Sequence, residues 1–206
     1  MIKLSEMSGK LKGIDAINTN TCSNSFCKKM SNTDNKYVIC KHCYSMNMLK
    51  TFRKNCQPSF QHNSNILSTK LIDKHDIPKF KHELLRLHAH GELINQTHAD
   101  NFIRLCKFKP DKQIVLYTKR LDLINNAICR QSHTIKPDNL IIVYSNPIID
   151  HPITKIPDSK LFRYVDKVFN VLSKPDKKIN CGARNCNKCR LCYKKSTTNI
   201  IYELVK

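Results

Sequence analysis

A rhythm in the middle of this chain limits its folding most. Near-continuous apolar runs occupy Leu84–His88, Ile114–Tyr117, Leu140–Tyr144 and Val168–Leu172, and their starts lie 26–30 residues apart. That interval is the length of one strand plus one crossover helix. Runs that are apolar throughout, rather than alternating, belong to strands covered on both faces. The pieces between them carry a helical period. Ala99, Phe102, Ile103 and Cys106 follow the i, i+3, i+4, i+7 stripe behind a capping box of Thr97 and Asp100. Leu121, Ile124 and Ile128 share a second face, and Leu161, Phe162 and Val165 suggest a shorter helix. The expected class is therefore α/β, with a parallel sheet or partial (βα) barrel.

The flanks are less regular. Residues 44–75 read as two helical pieces broken at Pro58, with Tyr44, Met48 and Phe52 on one stripe. Pro147, Pro152 and Pro157 make 146–158 an irregular loop, and Ile200–Val205 offers a closing strand. One domain over 1–206 is expected: a cysteine-rich segment at 21–56, strand–helix units over 82–175 and a cysteine cluster at 179–195.

No apolar run approaches the ~18–20 residues that span a bilayer, and the first residues contain no continuous apolar stretch of a signal peptide. A cytoplasmic protein with no membrane association is expected. Lys and Arg number 36 against 16 Asp and Glu, a net charge of +20, which favours anionic partners, nucleic acid first among them. The excess is mostly Lys and accompanies abundant Asn and Ile, a composition that an AT-rich genome also writes.

Eleven cysteines, an odd number, without a secretion signal argue against a disulfide scaffold. Their clustering argues for metal. Cys181, Cys186, Cys189 and Cys192 follow C-x4-C-x2-C-x2-C, four thiols in a dozen residues. These are the donors that an iron–sulfur cluster or a tetrahedral zinc requires. The repeated x2 spacing favours a [4Fe–4S] cluster, and zinc is the alternative. Cys22, Cys27, Cys40 and Cys43 form a second candidate set, and the two sets could converge on one site. Cys56, Cys106 and Cys129 read as small buried residues.

Parallel sheets bind ligands at the carboxyl ends of their strands. Here those ends supply His88, His90 and Glu92, then Tyr117, Thr118 and Lys119, then Ser145 and Asn146, then Ser173 and Lys174. His88, His90 and Glu92 alternate as if on one side of a strand, a row able to bind metal or move protons. No phosphate-cradling glycine loop or Ser/His/Asp order is present.

Thr21-Cys22, Cys43-Tyr44, the His88-to-Glu92 stretch, Tyr117-Thr118-Lys119 and the terminal cysteines occur together in an order that resembles the phage gene product 88 family over residues 21–193. That family is in turn distantly similar to radical S-adenosylmethionine proteins. The likeness implies a cytoplasmic protein of the host cell, with a cluster held by Cys40 and Cys43 and S-adenosylmethionine as a cofactor. Gly91, Glu92 and Tyr117 would contact that cofactor. His88, His90, Glu92 and Lys119 would hold substrate or cofactor while one electron passes to the sulfonium. The competing reading is a zinc-stapled, non-enzymatic basic protein that binds nucleic acid or a host protein.

Overall fold

A computed structural model describes residues 1–195 and 198–205. Seven strands form one sheet: β1 (Ser5–Glu6), β2 (Asp15–Ile17), β3 (Leu84–Leu87), β4 (Gln113–Thr118), β5 (Leu140–Ser145), β6 (Lys167–Leu172) and β7 (Ile200–Leu204). Each strand lies beside its neighbour in sequence; β1 is antiparallel to β2, and β2 through β7 are parallel. The α/β class and the four central strands agree with the sequence reading. β1 and β2 were not expected. β2 is only three residues long, and buried Asp15 ties it to the approach to β3 by accepting the backbone N–H groups of Lys81 and His82, both at 2.8 Å.

The helices are α1 (Ser25–Ser31), α2 (Tyr44–Lys50), α3 (Gln57–Thr69), α4 (Gln96–Phe108), α5 (Leu121–Ser132) and α6 (Cys186–Cys189). Three local expectations need correction. The N-cap of α4 is Asn95, whose side chain accepts from the His98 N–H at 3.0 Å, two residues ahead of the Thr97 expected. Pro58 does not break a helix; it sits in the first turn of α3, where its missing N–H has no partner to lose. The break falls at residues 51–56. The stretch around Leu161 forms only a 3-10 turn, Lys160–Phe162.

The period-two alternation of the strands separates two apolar layers. Leu85, Leu87, Ile114, Leu116, Leu140 and Ile142 face α3, α4 and α5 and pack on Phe102, Ile103, Ile124 and Ile128. Leu84, Val115, Tyr117, Ile141 and Val143 point the other way, where Tyr193, Cys186, Cys192 and Leu11 cover them. The β6–β7 connection thus crosses the face opposite the helices. Because every parallel strand is added in the same direction, this last crossover has the opposite hand to the helical ones. Parallel sheets overwhelmingly use one hand, so a sheet carrying both needs something to hold the odd connection in place. Among the described residues no helix is long and apolar enough to cross a membrane.

Candidate metal centre

The odd connection carries the C-terminal cysteines. Asn185 caps α6 by accepting the Lys188 N–H at 3.0 Å, and Arg190, in the left-handed region at φ 52°, ends this single turn. The resulting loop brings Cys181, Cys186, Cys189 and Cys192 around one cavity of about 20 Å³, together with Lys10 and Arg86. Tyr117 donates its hydroxyl to Cys192 Sγ at 2.8 Å, and Lys10 Nζ donates to Cys181 Sγ at 3.3 Å and to Glu203 Oε1 at 2.8 Å. Burial raises the Cys181 thiol to about 11 and also raises that of Cys186, so both are neutral thiols when no metal is bound.

Arg86 had no place in the sequence reading. Its guanidinium lies 3.6 Å from the centroid of the Tyr117 ring, its Nε is sealed from solvent without a hydrogen-bond partner, and it forms no ion pair among the described residues. The nearby groups that can become anions are Tyr117, Tyr193, Tyr44 and Cys192. A signal was available: an arginine inside the otherwise apolar run Leu84-Leu85-Arg86-Leu87 puts a charge where a covered strand needs none.

The N-terminal set gathers beyond the carboxyl end of β2. Cys27 lies in the first turn of α1, whose cap Asn24 accepts its N–H at 3.2 Å; Cys40 lies in a 3-10 turn, Ile39–His42; Cys43 is the N-cap of α2. Cys27, Cys40 and Cys43 share one electrostatic environment with Glu92 and Lys119. Burial pushes the thiols of Cys27 and Cys40 up. Burial acts to lower Lys119, but Cys40, Glu92 and the other thiols outweigh it and hold the ammonium up; Nζ donates to Ser145 Oγ at 3.2 Å. Cys22 lies 4.0 Å from the Met46 carbonyl, with Lys50, Cys43 and Lys28 as its charged or titratable neighbours. Among the described residues no group of three or more His, Cys, Asp or Glu side chains is arranged to hold a metal ion as it stands.

The expected row of His88, His90 and Glu92 is not a row. β3 ends at Leu87, and His88 adopts φ 63°, which breaks the pleat and sends the three side chains to different surroundings. His88 packs in the core against His98 and Phe102, with ring centroids 5.1 and 5.0 Å away; the Tyr117 backbone lies nearby, but neither His88 nitrogen makes a well-formed hydrogen bond among the described residues, and burial lowers its pKa to about 3. His90 meets Ser45 Oγ at 2.8 Å, and Ser45 meets Thr21 Oγ1 at 2.7 Å; burial lowers His90 to about 4. Glu92 is buried, and its oxygens accept from Leu93 N, Thr118 Oγ1 and Lys119 N at 2.6–2.8 Å, locking the end of β3 to the end of β4. Gly91 has φ 101°, and a Cβ there would fall 2.0 Å from Thr19 Oγ1, so this residue must be glycine for β2 and β3 to converge. Cys106 is buried as expected, whereas Cys129 is exposed because it lies on the outer side of α5.

Tyr44 follows Cys43 and is 60% exposed, yet burial of its hydroxyl raises its pKa; the hydroxyl donates to the Ala89 carbonyl at 2.6 Å.

No curated protein and no solved structure matches this chain. The sequence model described as gene product 88 matches residues 3–199, and the chain belongs to the phage gene product 88 family.

Proposed function

We propose that this protein is a metalloprotein whose C-terminal cysteines, Cys181, Cys186, Cys189 and Cys192, hold an iron–sulfur cluster across the open face of the sheet. The observation that carries this reading is the cavity that all four thiols share with the unpaired cation of Arg86. Arg86 is half-buried with its Nε sealed and unpaired among the described residues, so an anion beside it is favoured. Neutral thiols supply no counter-charge, but metal-bound thiolates do. The chemistry of the donor set fits a cysteine-ligated centre. Its present arrangement does not preassemble one, so binding draws residues 181–192 closer together. Such a centre supplies a one-electron redox couple; the protein excludes water and provides Arg86, Lys10 and the Tyr117 hydroxyl around the sulfurs.

Zinc is the second reading of the same four thiols. Four thiols around one cavity are equally the complete donor set of a tetrahedral zinc. The N-terminal trio is a further candidate site, facing Lys119. Glu92, expected to grip a methionine amine, has its oxygens engaged by three donors, and the proposal therefore stops at metal binding without a radical reaction. The test is anaerobic purification with an absorption spectrum and iron, sulfide and zinc analysis, for the wild type and Cys186→Ala/Cys189→Ala. A broad band near ~400 nm that the variant lacks supports the cluster. Stoichiometric zinc that the variant lacks supports the second reading, and a metal content unaltered by the variant rejects both.

A further inference from the structure

The net charge is not evenly spread. Residues 22–56 hold seven Lys and Arg against the single acid Asp34, a net +6 in 35 residues. The six lysines from Lys28 to Lys54 are all exposed, and none of the seven cations forms an ion pair among the described residues. The same segment contains every strongly exposed aromatic side chain among the described residues: Phe52 at 76%, Tyr44 at 60% and Tyr37 at 44%. The other exposed large apolar residues are aliphatic and scattered. The exposed rings therefore coincide with a run of unpaired cations, a combination that a ligand using both would explain. The C-terminal segment 174–195 is more densely basic, with eight Lys and Arg against Asp176 in 22 residues, but exposes no aromatic side chain.

The chemistry matching unpaired cations interleaved with exposed rings is single-stranded nucleic acid, whose phosphates neutralise the lysines while unstacked bases lie on the rings. A duplex keeps its bases stacked and offers these rings nothing. An acidic protein would meet the lysines and leave the rings idle.

We infer that residues 22–56 form a docking surface for single-stranded DNA or RNA, with Phe52, Tyr44 and Tyr37 as stacking platforms and the lysines from Lys28 to Lys54 as phosphate contacts. This surface does not include the C-terminal cysteines and stands whether or not those hold a metal. Tyr44 ties this surface to the end of β3, since its hydroxyl donates to the Ala89 carbonyl at 2.6 Å.

Fluorescence anisotropy of the full-length protein with labelled oligothymidylate, oligouridylate, a duplex of equal length and heparin tests the inference. The expected result is binding to single strands that is tighter than to the duplex and weakens steeply with salt. Phe52→Ala should weaken single-strand binding by on the order of 5-fold or more and leave heparin binding unchanged; with its ring largely in solvent, it is not a folding residue. Lys50→Glu/Lys54→Glu should weaken binding to all four. A preference between the two oligonucleotides identifies DNA or RNA as the partner. Absence of single-strand binding at low salt, equal affinity for duplex or heparin, or an unaltered Phe52→Ala variant overturns the inference.

Discussion

Replacing Arg86 with methionine should change the metal-free protein little and weaken the metal-loaded one. Without metal, Arg86 gains about 2 kcal/mol from lying 3.6 Å over the Tyr117 ring. Against this stands a half-buried guanidinium whose Nε is sealed without a partner and which forms no ion pair among the described residues, a penalty of roughly 1–3 kcal/mol for that one donor. Methionine keeps the stem and restores part of the ring contact through its sulfur. Arg86→Met should therefore leave the metal-free protein within about 1 kcal/mol of wild type. With metal bound, four thiolates on a dipositive ion or cluster core leave two negative charges beside this position, and losing the cation should lower metal affinity by about 10–100-fold. Urea unfolding of wild type and variant, each with and without metal, reads both effects. Destabilisation of similar size in the two forms would refute the reasoning, because Arg86 would then be a packing residue indifferent to the thiols.

Three further outcomes follow from particular contacts. Gly91→Ala forces a Cβ to within 2.0 Å of Thr19 Oγ1 at φ 101° and should destabilise the fold by about 3 kcal/mol or more; Thr19→Ala removes the nearer clash and should restore part of the loss in a double-mutant cycle. His90, lowered to about 4 in the native state, keeps fewer protons than its unfolded counterpart. Its share of stability, on the order of 3 kcal/mol, is complete above pH ~6.5 and lost as the pH falls towards 4, so His90→Gln should flatten a stability–pH profile across that window. Tyr117→Phe removes the hydroxyl that donates to Cys192 Sγ at 2.8 Å and should weaken metal retention by about 5-fold, measured by chelator competition.

The sequence disclosed those parts of the fold that rest on local chemistry. Strands β3 to β6 were legible because burial on both faces demands near-continuous apolar runs, and α4 and α5 because one face of each must meet the sheet. β2 was not legible, since three residues carry no periodicity and its place depends on the long-range bonds of Asp15. The cysteines stood out by spacing, and the C-terminal four that spacing groups do line one cavity. How α1 and α2 bring Cys27, Cys40 and Cys43 near Glu92 and Lys119 was not legible, because it depends on the return of those helices to the sheet. Likewise the one left-handed backbone at His88 scatters a row that alternation alone would have kept together. Arg86 was passed over because a single polar letter in an apolar strand looks like tolerance until its neighbours are known.

The most direct test of the four-cysteine centre is X-ray absorption at the metal edge of the loaded protein carrying Cys27→Ser, Cys40→Ser and Cys43→Ser. The account predicts that metal remains bound with an all-sulfur first shell, near ~2.3 Å for zinc. A shell dominated by nitrogen or oxygen, or loss of the metal with the N-terminal cysteines, would contradict it.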